Sequence, residues 1–220
     1  MFKWLALVAV VVLGGQVALA EGDLSVEASK EAPPADVLVE EIAFEIAPTG
    51  YKVVDGDKKL VCEIWLAKTW TLKPGFQPSL SILYPLEPGS LVGVLRFTRK
   101  GTDFRGQDIA RGVYTLRYAN QPEDGNHVGT FETRDFLVML PAAADTSLKT
   151  LPDTDLFKVS AEAAGSTHPA IMPLLKAEEG KDAAVRHLAD QEWWALHVLG
   201  TDAKGGKHPL DVIVQGKSAE

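Results

Sequence analysis

The segment Gly112–Pro141, GVYTLRYANQPEDGNHVGTFETRDFLVMLP, decides the fold class. Its first run, Val113–Tyr118, alternates Val, Thr and Arg with Tyr, Leu and Tyr, which is the period of a strand with one face on a core. Its second run, Asp135–Leu140, is apolar at nearly every position, which is typical of a strand buried on both faces. The segment therefore predicts a hairpin whose second strand lies in the central part of a sheet.

Other short apolar runs flank this hairpin and alternate with turn-forming residues. The runs that predict strands are Tyr51–Val54, Leu60–Leu66, Leu91–Thr98, Ile171–Lys176, Ala184–Leu188, Trp193–Leu199 and Leu210–Val214. Val37–Ile46 fits both a strand and a helical stripe, and the β-rich sequence that follows it favours the strand. Prolines surround Leu80–Tyr84, which predicts an edge strand or a covering loop because proline lacks the N–H needed for a ladder.

One segment has a helical pattern. Asp153-Thr154-Asp155 precedes an apolar stripe and Gly165 follows it, which predicts a short helix that ends at the glycine. Many short strands, one helix and no alternation of strands with helices predict an all-β chain: an antiparallel β-sandwich or jelly-roll-like domain with one short helix. The same pattern disfavours a parallel α/β enzyme fold.

The N-terminal residues have the pattern of a secretory signal peptide. One lysine precedes the apolar run Trp4–Leu13, and a small-x-small motif ends at Ala20. The run is shorter than the roughly 20 apolar residues that a spanning helix needs. Residues 21–36 are small and charged and predict a disordered spacer, and residues 37–220 predict a single domain. We therefore expect an exported protein, periplasmic or secreted.

Charge and cysteine content narrow the range of partners and compartments. The chain has 22 basic and 30 acidic residues and a net charge of -8. Without Lys3, which lies in the predicted signal peptide, 21 basic residues remain and the charge becomes -9. Such a surface repels phosphate backbones and anionic lipids, so nucleic acid and membrane partners are disfavoured. Cys62 is the single cysteine, and its apolar neighbours predict burial.

The connection inside the hairpin concentrates polar side chains. Asp124, Asn126 and His127 offer oxygen and imidazole ligands close together, and Arg134 follows them. The spacing matches no calcium loop, and a zinc site would need a further histidine. The other histidines are His168, His187, His197 and His208. Two interpretations stay open: a ligand or metal site, and a type I turn whose Asp and Asn side chains bond local backbone.

Trp193 and Trp194 are the second candidate feature. Adjacent residues of a strand point to opposite faces, so one of the two indoles faces away from the core. Carbohydrate-binding sandwiches use such an indole to stack a sugar ring, whereas packing under a loop is the structural alternative. The predicted ligand-binding residues are therefore Asp124, Asn126, His127, Arg134, Trp193 and Trp194.

The chain carries no nucleophile elbow, zinc-protease helix, P-loop or dinucleotide fingerprint. The residues Gly112–Tyr118, Gln121–His127 and Arg134–Leu137, with the pattern GxYTLRY, QPEDGNH and RDFL, resemble uncharacterised exported bacterial β-sandwich proteins. That resemblance implies an exported bacterial all-β protein and carries no activity with it.

These observations favour a non-enzymatic binding module for a small molecule, a glycan or a protein partner, without a cofactor. One alternative is a metal-dependent, cupin-like enzyme that uses His127 and nearby carboxylates. The other is a structural or envelope-assembly protein that pairs with another chain through an edge strand near Leu80–Tyr84.

Overall fold

A computed structural model describes residues 23–123 and 131–218. Within these residues the strands are β1 (Ser25–Ser29), β2 (Gly50–Val54), β3 (Leu60–Leu66), β4 (Leu91–Phe97), β5 (Gly101–Thr102), β6 (Asp108–Ile109), β7 (Gly112–Asn120), β8 (Asp135–Pro141), β9 (Ile171–Leu175), β10 (Ala184–Leu188), β11 (Trp193–Thr201) and β12 (Lys207–Gln215). The helices are α1 (Glu40–Glu45) and α2 (Asp153–Ala164), and a 3-10 turn covers Ala35–Val37. Neither helix in this part of the chain has the length and hydropathy needed to cross a bilayer.

Ten of these strands form one antiparallel sheet in the order β1-β2-β3-β4-β7-β8-β9-β12-β11-β10, and β5 pairs with β6 separately. The end strands β1 and β10 approach each other, so the sheet curls until it is almost closed. The all-β prediction is confirmed. The two layers expected of a sandwich are the two halves of one continuous sheet, because residues from both halves share one core.

The curl gives the sheet an inner and an outer face, and β8 shows how the sequence fills both. Leu137 and Met139 belong to the main core enclosed by the sheet. Phe136, Val138 and Leu140 point outward into a second cluster, which Leu156 of α2 completes. This double burial is why nearly every residue of β8 is apolar, as the sequence predicted.

Helix α2 follows its C-terminal signal, whereas Asp153-Thr154-Asp155 lie in its first turn and do not cap it, since the N-cap residue is Pro152 and makes no side-chain cap bond. It begins at Asp153 and ends before Gly165, which is left-handed with φ 57° and whose N–H bonds the carbonyls of Ala161 and Glu162. This is the glycine-terminated end that the pattern predicts. The prediction of one short helix here is confirmed.

The prediction of a strand over Val37–Ile46 is wrong. The middle of the segment forms α1, and Leu38, Ile42 and Ile46 are all buried. Ile42 is the buried residue of the helix, whereas Leu38 lies before it and Ile46 pairs with Ala67 just after it. A strand would also put them on one face, so the pattern alone did not separate the two structures.

The prediction of a disordered spacer over residues 21–36 is wrong for β1, which pairs with β2 at the edge of the sheet. Glu31, just beyond β1, bonds Lys52 at 2.8 Å and also pairs with Arg96. These hydrogen bonds hold the pKa of Glu31 at about 2. The indole of Trp65 donates to the Glu31 carbonyl at 3.1 Å. Tertiary contacts therefore order a stretch whose composition predicts disorder.

Leu80–Tyr84 is the covering loop and not the edge strand. Leu80 is fully exposed, whereas Tyr84 is buried. The Tyr84 hydroxyl donates to the Leu175 carbonyl at 2.6 Å and accepts from the Asp211 N–H at 3.1 Å. It thus links β9 to β12, which share only a short ladder. The assembly hypothesis requires an edge strand at Leu80–Tyr84, and the structure has a loop there.

Cys62 is expected to be inert in the folded protein. Its side chain is fully buried in the main core, and this burial raises the pKa of the thiol to about 12. Because the thiolate is the reactive form, a colorimetric thiol reagent should leave the native protein unmodified and titrate one thiol per chain after denaturation. Stoichiometric modification of the native protein would contradict this placement.

Candidate functional site

The polar connection between β7 and β8 is described only at its two ends. Asp124, Asn126 and His127 lie outside the described residues. Arg134 joins the two ends: its Nε donates to the Gln121 carbonyl at 2.7 Å, and its guanidinium pairs with the exposed carboxylate of Glu123. The Gln121 N–H also donates to the Arg134 carbonyl at 2.8 Å. Arg134 thus holds the base of the connection closed.

Trp193 lies against that base. Its ring centroid is 5.4 Å from that of Phe131, which lies in the second described part of the connection, and 5.2 Å from that of Phe104. Phe104 is buried, whereas Phe131 and Trp193 are each partly exposed. The Trp193 indole donates to the Lys217 carbonyl at 2.8 Å, which fixes the ring. We call Phe104, Phe131 and Trp193 the aromatic cluster.

Trp194 is not part of this surface. It belongs to the main core, and the exposed His187 stacks on its indole with ring centroids 4.1 Å apart and planes 11° apart. The two adjacent tryptophans therefore occupy opposite faces, as the strand period predicts. Of the predicted ligand-binding residues in the described structure, Arg134 and Trp193 lie at or against the base of the connection, and Trp194 does not.

Beyond the aromatic cluster, the outer face of β10, β11 and β12 holds a polar group that the sequence did not predict. His197 Nδ1 lies 2.5 Å from Asp211 Oδ1, and Arg186 Nε donates to Asp211 Oδ2 at 3.1 Å. The Asp211 side chain is fully buried and His197 is 6% exposed. Because a carboxylate accepts at Nδ1, the neutral imidazole keeps its lone pair on Nε2.

His197 Nε2 has no hydrogen-bond partner and no exposed surface. Gly180 lies directly against it, since a Cβ built on Gly180 would be 3.0 Å from Nε2. An imidazole oriented by a carboxylate is the arrangement of a general base, but this one is covered. Pairing of the strands that contain His197 and Asp211 could have indicated the contact, because the two residues are directly opposite.

The histidines do not converge on a metal centre in the part of the chain that the structure describes. His208 Nε2 bonds Asp202 at 2.9 Å, His187 packs on Trp194, and His168 is exposed. Among residues 23–123 and 131–218, no group of three His, Cys, Asp or Glu side chains is placed to hold an ion. The metal hypothesis depends on His127, which is outside these ranges.

A buried polar network anchors the covering loop beside the connection. Asp135 accepts from the Tyr118 hydroxyl and, at 2.7 Å, from the Leu83 N–H, and Asn120 donates to the Tyr118 hydroxyl at 2.8 Å. Burial raises the pKa of the Asp135 carboxyl and of the Tyr118 and Tyr84 hydroxyls. Because these groups already bond one another or nearby backbone, we assign them a structural role.

A groove of about 810 Å³ lies at the opposite ends of β7 and β8. Its lining includes Val37, Arg111, Tyr114 and Glu162. None of the predicted ligand-binding residues in the described ranges lines it.

Comparison of the chain with protein-family models, with curated proteins and with solved structures gives no significant match.

Proposed function

We propose that this protein is an exported binding protein that takes a neutral glycan on the partly exposed face of Trp193. The observation that carries the proposal is the contact between Trp193 and Phe131, because it joins the indole to the base of the polar connection. A glycan site combines a flat apolar face with nearby hydrogen-bonding groups. Arg134 and Glu123, at the same base, provide a guanidinium and an exposed carboxylate.

The charge of the chain determines the class of glycan. With a net charge of -8, the protein repels polyanions over long range, so a neutral sugar is favoured over a sulfated or phosphorylated one. The Trp193 ring is also held in place by Phe104, Phe131 and Lys217. A preorganised ring loses little entropy on binding.

Binding is tested by screening the purified protein on an array of oligosaccharides and titrating the strongest neutral hit by calorimetry. Trp193→Ala is expected to weaken binding at least about tenfold, which corresponds to about 1.4 kcal/mol, while Trp193→Phe keeps part of the affinity. Phe44→Ala is the matched control, since Phe44 is an aromatic residue of α1 that is 71% exposed and belongs to no part of this surface.

Three results would overturn the proposal. The first is an array without any neutral glycan hit. The second is a hit whose affinity is the same in the wild type and in a folded Trp193→Ala variant, because the sugar would then bind elsewhere. A hit lost equally in Phe44→Ala would place the site on α1.

A further inference from the structure

The segment of residues 176–183, between β9 and β10, covers His197. Within the described residues its hydrogen bonds and ion pairs come from Glu178: the backbone N–H donates to Asp211 Oδ2 at 3.4 Å, and the carboxylate pairs with Arg186 at 3.2 Å. Gly180 is itself exposed and closes the space in front of His197 Nε2. The polar contacts of the segment therefore all lie at the His197 group, and Ala177 and Ala183 add apolar contacts with the main core.

The closed position of Gly180 suits a neutral imidazole. When Nδ1–H donates to Asp211, Nε2 carries only a lone pair, and leaving a neutral acceptor without a partner is a modest penalty. Protonation puts a charged N–H on Nε2, in a place with no acceptor and no water contact. A buried charged donor without a partner is much more costly than a neutral acceptor.

Some of the other polar and charged groups near His197 keep their positions when residues 176–183 open, and others move with that segment. Asp211 on β12 and Arg186 on β10 belong to paired strands, so they face the imidazole whether the segment is closed or displaced. The Tyr84 hydroxyl, from the covering loop, bonds backbone on β9 and β12 and stays as well. Only the segment's own charges change position on opening.

Glu178 moves with the segment, and in the closed state its carboxylate pairs with Arg186. Its attraction to a protonated imidazole opposes opening. The remaining charged residues of the segment are exposed to solvent, which screens them; they are Lys176, Glu179, Lys181 and Asp182. Displacing Gly180 provides what the closed state lacks, a water molecule that accepts from Nε2.

We propose that residues 176–183 form a pH-sensitive latch that is closed over neutral His197 and is displaced when the imidazole is protonated. The sign follows from the contacts: the closed state suits the neutral imidazole, so it is lost in the direction of falling pH. Opening exposes an imidazole that Asp211 keeps oriented. The proposal uses neither Trp193 nor the connection between β7 and β8, so it is independent of the proposed function.

Hydrogen–deuterium exchange of the whole protein, read by mass spectrometry on peptides that cover residues 176–183, tests the latch. Measurements at about pH 8 and about pH 5.5 bracket the range in which imidazoles change charge, and each rate is corrected for intrinsic exchange. In the wild type, the corrected rate is expected to rise at least about tenfold at the lower pH, a change of about 1.4 kcal/mol in the opening equilibrium. The turn of residues 55–59, which contains no histidine, provides an internal reference.

Three variants separate the latch from a general loosening. His197→Asn keeps a donor toward Asp211 but cannot be protonated, so its exchange should not change between the two pH values. Gly180→Ala places a methyl group against Nε2 and should open the segment at both pH values. Glu178→Gln should raise exchange at both pH values and keep the acid-induced increase.

Either of two results would refute the latch. One is wild-type exchange that is equal at the two pH values. The other is an acid-induced increase of the same size in His197→Asn, which would assign the effect to another group. If His197→Asn does not fold, as judged by circular dichroism, His197→Gln, which also carries an amide and cannot be protonated, takes its place: an acid-induced increase of wild-type size in that variant excludes the latch.

Discussion

Replacement of Arg117 by methionine is expected to lower the free energy of unfolding by about 3–5 kcal/mol, the range for breaking a buried ion pair. The Arg117 side chain is fully buried on the outer face of β7. Its Nε and Nη2 donate to the Asp145 carboxylate at 2.7 and 2.8 Å, and Thr115 donates to the same carboxylate at 2.6 Å. Methionine removes the guanidinium and leaves the buried Asp145 carboxylate without its charged partner.

Arg117 also binds backbone, which makes the loss larger than one ion pair. Its Nη1 donates to the carbonyls of Gly89 and Lys149 at 2.7 and 2.9 Å, and Nη2 donates to the Ser147 carbonyl. One guanidinium therefore joins the chain just before β4 to the segment that leads into α2. Urea-induced unfolding followed by circular dichroism measures the effect.

Two further variants test the cause. Arg111→Met, at an exposed arginine just before β7, should change stability by less than about 0.5 kcal/mol, as surface substitutions usually do. The double variant Arg117→Met/Asp145→Leu should recover part of the loss, because it removes the unpaired charge. A loss below about 1 kcal/mol in Arg117→Met would show that the pair contributes no more than a surface one.

Gly89→Ala is expected to be the second severe change. Gly89 has φ +79°, and a Cβ there would lie 2.2 Å from the Leu151 carbonyl oxygen and 2.7 Å from the Leu151 nitrogen. Both are backbone atoms, and the Leu151 N–H donates to the Gly89 carbonyl at 3.3 Å. The left-handed backbone costs about 1–2 kcal/mol for alanine, and overpacking adds about 1–3 kcal/mol.

Gly75→Ala is the matched control for that prediction. Gly75 has φ +66°, and nothing lies within 4 Å of the Cβ position. Alanine there should therefore lose only the roughly 1–2 kcal/mol that the left-handed backbone conformation costs. The difference between the two variants in thermal or urea unfolding measures the clash with Leu151. Equal losses in both variants would mean that Leu151 moves away freely.

Both predictions concern contacts that the sequence did not indicate. Arg117 was assigned to the polar side of an alternating strand, and that side is buried because the segment around Ser147 folds over it. Alternation shows which residues share a face and leaves open whether a distant segment covers that face. The same limit applies to Asp211 and His197, which are brought opposite each other by strand pairing.

The edge strand β1 is a second place where the structure differs from the sequence prediction. β1 is charged and short, and composition gave it no reason to be ordered. It is ordered by pairing with β2 and by the bonds of Glu31 to Lys52 and Arg96. Strand pairing and ion pairs between residues that are distant in sequence form only in the tertiary structure, so local composition does not reveal them.

The sequence by itself determined the all-β class, the alternating strand β7, the doubly buried strand β8 and the end of α2 at Gly165. Each of these depends on the period of neighbouring side chains or on the backbone of one glycine, which are local properties. Only the tertiary structure decided that Phe131 lies on Trp193, that Gly180 covers His197 and that Arg117 holds Asp145. These contacts depend on sheet register and curl, which result from the packing of the whole chain.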